Sequence, residues 1–239
     1  MRRRLTIIGI ILAVIGLGFV AGGGYTYMQI QDGYDSLQSF SEAQNVTLSY
    51  NDDGQLVDRG ETEGAQAILT LLEDDWQYPV NQSDLDPNNP LVNTATEYMY
   101  QMATIVHHTI DGTVEVTLDE AVEYNGETFE AGTYDVEVDG RYWTDFDRMH
   151  PLEGQARAAA WSGTVHGLVG ELGVGTVTHS TLQMGLGLSV LLAGLGFTFM
   201  LLGGGLAFAA RGKDGKTEVK VPDTVPQELV DEHTSAMTA

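Results

Sequence analysis

The chain has 239 residues, no cysteine, and 34 Asp plus Glu against 11 Lys plus Arg, for a net charge of -23. The missing cysteine excludes a disulfide framework, a thiolate zinc site, an iron–sulfur cluster and a cysteine nucleophile. The acidity argues against a general nucleic-acid binder, which needs basic groups to displace counterions from phosphate.

The mean hydropathy of -0.08 averages two extremes. Two apolar blocks enclose a long acidic stretch. The first block, Leu5 to Gly24, carries no charge, and ~20 residues at ~1.5 Å rise match a hydrocarbon core of ~30 Å. Arg2, Arg3 and Arg4 precede it, and Tyr25 and Tyr27 follow where an aromatic belt sits. These residues predict a transmembrane helix over 5–27 after a short N-terminus of residues 1–4. An uncleaved anchor is expected rather than a signal peptide, because the run exceeds an ordinary h-region and Ala21-Gly22-Gly23-Gly24 is a poor cleavage site.

Residues 28–183 hold 28 acidic side chains against four arginines, Arg59, Arg141, Arg148 and Arg157, and no lysine. Such a surface attracts cations and repels anionic lipid headgroups. Asn51 to Gly54 predicts a hairpin loop between 46–50 and 55–57. A helix is expected over 61–76, with Ala65, Ile68, Leu69, Leu72 and Trp76 on one face and Asp58 with Glu61 as its cap. After the turn-rich stretch Asn81 to Pro90, Thr94 and Glu97 form a capping box. The second helix that follows has the inner stripe Ala95, Tyr98, Met99, Met102, Val106 and Thr109.

Alternating strands come next, with Val114, Val116 and Leu118 on one face, a turn at Asn125-Gly126, and Tyr134, Val136 and Val138 alternating again. They predict a β-meander packed on the two helices. From Pro151 the pattern is helical, and glycines at 163, 167, 170, 173 and 175 leave two possibilities. The helix either runs straight into the second block or bends just before it.

That second block, 184–210, is also uncharged, and Arg211, Lys213, Lys216 and Lys220 follow it directly. Basic flanks mark the cytoplasmic side, so both termini are expected inside and residues 28–183 outside the plasma membrane. The fold class expected is a membrane protein, two transmembrane helices flanking an extracytoplasmic α+β domain. Gly18 and Gly22 in the first block, with Gly185, Ser189 and Ala193 in the second, have the spacing of close helix packing, within the chain or between copies. Glycine is also simply common in membrane helices. Residues 211–239 predict a disordered tail, with a short helix from Pro226 to His233 as the alternative.

Three groups bear chemistry. His107 and His108, near Glu97 and Asp111, have the residue types of a non-haem iron site, although adjacent helical residues diverge by about 100°. Against that stands a solvated His108 on a polar face with Gln101 and Thr104. Asp84, Asp86 and Asn88 alternate like the start of a calcium loop, but Asn89 and Ala95 replace its glycine and bidentate glutamate. Asp145, Asp147, Arg148 and His150, with His166, are candidates to line a pocket, or else Arg148 and Arg157 pair with carboxylates. No G-x-S-x-G, P-loop, G-x-G-x-x-G or H-E-x-x-H occurs.

The stretch from Glu63 to His108, then YNGETFEAGTYDVEVDG and HPLEGQARAAAWSGTVHGLVGELG, resembles an actinobacterial family of two-span membrane proteins. Its members often bear the name aromatic ring-opening dioxygenase LigA. The resemblance covers most of the chain and implies a Gram-positive-type envelope; the name implies a metal-dependent ring-cleaving enzyme, and no site residue transfers with it.

The function expected is a non-enzymatic accessory, scaffold or sensor of the envelope, without a cofactor. The alternatives are a metal-dependent, dioxygenase-like enzyme using His107 or His108, with iron as a possible metal, and a calcium-responsive sensor. Expected partners are membrane lipid and other envelope proteins, or a second copy through the transmembrane helices, and not nucleic acid.

Overall fold

The computed structural model describes residues 2–211. Lys213, Lys216, Lys220 and the expected tail lie outside the described residues. The chain divides into two compact units, one from 2–17 and 197–211 and the other from Gly18–Gly196.

Two helices contribute to both units: α1, Arg2–Gln44, and α5, Gly163–Ala210. Each is long and apolar enough to cross a membrane. Mean hydropathy reaches 2.6 in an eighteen-residue window of α1 and 2.1 in the stretch that contains α5, and only 11% of either window is buried. A core helix of a water-soluble protein would hide such a window. Here Ile11, Val14, Leu201 and Phe208 are all exposed.

No break falls at 27/28 or 183/184. α1 continues for 17 residues past the expected span, and α5 begins 21 residues before its own. The glycines at 163–175 therefore sit inside a continuous helix, and the interruption comes earlier, where Trp161 leaves the helical conformation at φ -106 and ψ 50.

Burial along α1 recurs every seven residues at Gly9, Gly16, Gly23, Ile30 and Leu37. On α5 the same interval runs through Ser189, Gly196 and Gly203. This is the repeat of a coiled-coil seam, here with glycine at its centre.

In the first unit a Cβ on Gly9 would stand 2.5 Å from the Gly203 carbonyl oxygen and 2.9 Å from the Ala207 nitrogen. In the second unit a Cβ on Gly23 would stand 2.8 Å from the Ser189 oxygen and 2.9 Å from the Ala193 nitrogen, while one on Gly185 would meet Ile30 at 2.9 Å. Gly18 and Gly22 point elsewhere, with nothing within 4 Å of a Cβ at either. Within the chain, the α5 residues Gly185, Ser189 and Ala193 do face α1, but Ile30 and Gly23 receive them in place of Gly18 and Gly22. Four-residue spacing alone left the phase of the helix open.

The second unit also holds α2 (Thr62–Thr70), a π-helical turn (Leu71–Asp75), a single 3-10 turn (Gln82–Asp84) and α3 (Ala95–Thr109). No residue of α3 is exposed. Its capping box forms as expected, with Glu97 N–H donating to Thr94 Oγ1 and the Thr94 N–H to Glu97 Oε2 at 2.9 Å. The inner stripe differs from the sequence pattern. Thr96, Glu97, Tyr98, Tyr100 and Ala103 are buried, while Met99, Met102 and Val106 are only half-buried, because neighbours cover α3 on every side. Ile68, Leu72, Tyr98, Ala103, Leu37 and Leu172 share the main core.

The cap expected for α2 does not form. Glu61 caps without a side-chain bond, and the Asp58 carboxylate is taken by His108.

The strands are β1 (Thr113–Leu118), β2 (Val122–Tyr124), β3 (Glu127–Phe129) and β4 (Gly132–Glu137). They do not form a meander. β1 pairs antiparallel with β4, Val116 opposite Tyr134, and the β2–β3 hairpin makes a separate two-stranded ladder between them in sequence. Asn125 and Gly126, at φ 50 and 86, make the expected hairpin turn. The apolar face of β1–β4 packs on α4 (Glu153–Ala160), where Val116, Val138, Phe146, Ala156 and Ala160 form a second core. α4 therefore takes the place expected for α2 and α3. Alternation shows which face is apolar but not which helix meets it.

Candidate functional site

The two histidines turn to different partners. His107 Nδ1 lies 3.0 Å from Asp111 Oδ2, one helical turn on, and His108 Nε2 lies 2.9 Å from Asp58 Oδ2. His108 is thus half-buried against a carboxylate rather than solvated. Glu97 is fully buried at the opposite end of α3. Its Oε2 accepts from the Asn93 and Thr94 backbone, and burial pushes its carboxyl up despite those bonds.

The Asp84 and Asp86 carboxylates are bound locally. Asp84 accepts from Asn81 Nδ2 at 2.7 Å. Asp86 accepts from the Asn88 backbone at 2.9 Å and side chain at 2.8 Å, bonds that hold its carboxyl below the usual range. Among the described residues no three His, Asp or Glu side chains converge as metal ligands would.

The polar group after Trp143 is also split. Asp147 accepts from Tyr124 Oη at 2.6 Å, and His150 Nδ1 accepts from the Leu152 and Glu153 backbone. His166 packs instead on Trp161 and Trp143. Arg141 makes the ion pair, to Glu153 at 3.0 Å. Arg157 lies over the Trp143 ring and donates to its carbonyl oxygen.

Between these elements lies an open cavity of about 380 Å³ that the sequence did not announce. Its floor is apolar: Leu71 from the π-helical turn, with Val106 and Ile110 from the end of α3. Three aromatic side chains line it, namely Trp76, Tyr142 and Trp161. Trp76 is placed by the close of the π-helical turn, a one-residue insertion of the kind that often re-aims side chains at functional sites. Trp161 is fixed by its indole N–H, which donates to the Arg141 carbonyl at 3.1 Å, and by edge contact with Tyr142 at 5.2 Å.

Asp75, Asp111 and Asp139, with Gly140 and Arg141, complete the lining. Gly112 (φ 82) and Gly140 (φ 67) turn the backbone beside Asp111 and Asp139, a conformation that suits glycine. A side-chain hydrogen bond to Asp111, together with that residue's charge, pushes the Asp139 carboxyl above the ordinary range.

Each lining residue was visible in the sequence as a turn residue, a strand end or part of a helical face. Nothing in their spacing brings positions 75, 111, 139 and 161 together.

A second feature ties α5 to the core. His179 is 7% exposed, and its Nδ1 accepts from the Ala95 N–H, at the start of α3, at 3.1 Å. Tyr34 of α1 packs edge-on against its ring at 5.8 Å. Burial pulls its pKa below the ordinary 6.5, against a smaller opposing pull from Asp84.

No family model, no curated protein and no solved structure matches this chain.

Proposed function

We propose that the chain is a two-pass plasma-membrane protein with both termini cytoplasmic and residues 28–183 outside. It acts as a non-enzymatic accessory, scaffold or sensor subunit of the cell envelope. The observation that carries this reading is continuity. α1 and α5 pass without a break from their apolar stretches into the core of the acidic domain. There Ser41 bonds to Tyr98 at 2.7 Å, Gln38 to Asn93 at 3.0 Å and His179 to Ala95. A domain clamped to its own membrane helices is suited to report a binding event along them.

Orientation is supported by Arg2, Arg3 and Arg4 before one apolar stretch and Arg211 after the other. The envelope setting is what the family resemblance of the sequence implies. An enzyme built on His107 and His108 draws no support from side chains bound to separate carboxylates.

The absence of cysteine makes topology directly testable. A single cysteine at Asp119→Cys is expected to react with a membrane-impermeant maleimide on intact cells, and one at Lys213→Cys only after lysis. The opposite pattern overturns the orientation.

A further inference from the structure

The cavity beside Trp76 has a distinctive balance of charge and apolar surface. Its one basic residue, Arg141, is committed elsewhere: its guanidinium pairs with Glu153 at 3.0 Å and lies 4.0 Å over the Phe146 ring. That leaves Asp75, Asp111 and Asp139 around a pit walled by Trp76, Tyr142 and Trp161. His107 stands beside Asp111, and Asp111 lies against Asp139. A ligand that fits must bring positive charge to the carboxylates and apolar surface to the rings.

Other classes satisfy only half of this. A calcium ion requires six to eight oxygens and no indole. A neutral sugar stacks on rings but leaves the carboxylates uncompensated. An anion is repelled both by the lining and by a surrounding domain with 28 acidic residues and four arginines.

We infer that this cavity binds a small organic ammonium ion, a protonated amine carrying an apolar body, held between the three carboxylates and the three aromatic side chains. The volume of about 380 Å³ suits a ligand of that size. Cations with attached methylene or methyl groups bind well against indole and phenol faces, where ring quadrupole and apolar contact act together. The site joins the π-helical turn, the end of α3, the turn after β4 and Trp161, which lies two residues before α5 begins. Occupancy would brace the short break between α4 and the helix that leads to the second apolar stretch. The inference rests on the reading of residues 28–183 as a binding module, and it names that module's ligand class.

The chain has three tryptophans, and two of them line the cavity. Full-length Trp143→Phe protein in lipid nanodiscs therefore reports cavity occupancy by fluorescence. Titration with spermidine or choline is expected to give a saturable change, confirmed by calorimetry. Trp76→Leu should weaken binding about ten-fold, and Asp75→Asn with Asp139→Asn by at least as much. Trp76→Phe should restore part of the loss.

Melting temperatures near that of the parent establish that each variant is folded. Calcium and glucose, each alone, are expected to give no saturable signal. Saturation by calcium or glucose in place of the amines, no saturable amine binding, or full binding in the folded double variant overturns the inference. The maleimide pattern separates the two claims. A cytoplasmic domain that binds amines keeps this inference and loses the topology, and an outward domain that ignores them does the reverse.

Discussion

α1 and α5 meet in two chemically different ways. Around Gly9 and Gly203 the contact is backbone on backbone, with Ala13 and Ala207 alongside and no large side chain between. Around Ser41 and His179 the same two helices are joined to α3 by side-chain hydrogen bonds and by the Tyr98 ring, which lies against Gly175. The first kind suits lipid, where apolar side chains gain nothing by leaving the solvent and close van der Waals approach provides the attraction. The second suits water, where burying Ile68, Leu72 and Tyr98 drives assembly and the polar groups that go with them need partners. A change of chemistry along each helix is what the proposed topology calls for.

The largest expected effect tests the glycine seam. A side chain at Gly203→Leu has to enter the Gly9 backbone, which cannot yield as a flexible side chain can. It should destabilise the protein by about 3 kcal/mol, read as a lowered melting temperature in nanodiscs. Gly18→Leu, in open space, should change it by no more than about 0.5 kcal/mol. Equal effects at the two positions would erase the distinction.

Next in size is Ser41→Ala, which leaves the buried Tyr98 hydroxyl without its partner and should cost about 1–2 kcal/mol. Adding Tyr98→Phe should recover part of that loss, because the unpaired hydroxyl is then gone. No recovery would show that the bond is not what joins α1 to α3.

The smallest effect is pH-dependent. The folded pKa of His179 lies below 6.5, so its contribution is complete above pH 6.5 and is lost as pH falls from there through the folded value. Protonated Nδ1 cannot accept from Ala95 and adds positive charge at the start of α3, where the helix dipole is already positive. His179→Asn offers an amide oxygen in place of Nδ1. The wild type should therefore lose more stability than this variant between pH 7 and 5, by up to about 1 kcal/mol, the scale of one buried hydrogen bond. Parallel pH curves would remove His179 as the source.

Much of the fold was legible because the signals were local. The Thr94–Glu97 box, the Asn125-Gly126 turn and the inward residues of β1 and β4 depend on neighbours within a few positions. The candidate site was not legible. Asp75 and Asp139 each read as an ordinary acidic residue beside a helix end or turn, Asp111 as a neighbour of His107 and His108, and Trp76 as one more residue on a helix face. Asp58 read as a helix cap because Glu61 stands three residues on, yet its carboxylate bonds to a histidine fifty residues away.

The sequence by itself determined that two long helices are apolar, that basic residues flank them and that an acidic segment lies between, since hydropathy and charge add up along the chain. Tertiary structure alone decided that Gly9 and Gly23 rather than Gly18 and Gly22 meet α5, that β4 rather than β2 pairs with β1, and that three aromatic and three acidic residues line one cavity. Helix phase and strand partner are fixed by what packs opposite, and that surface is supplied by residues distant in the chain.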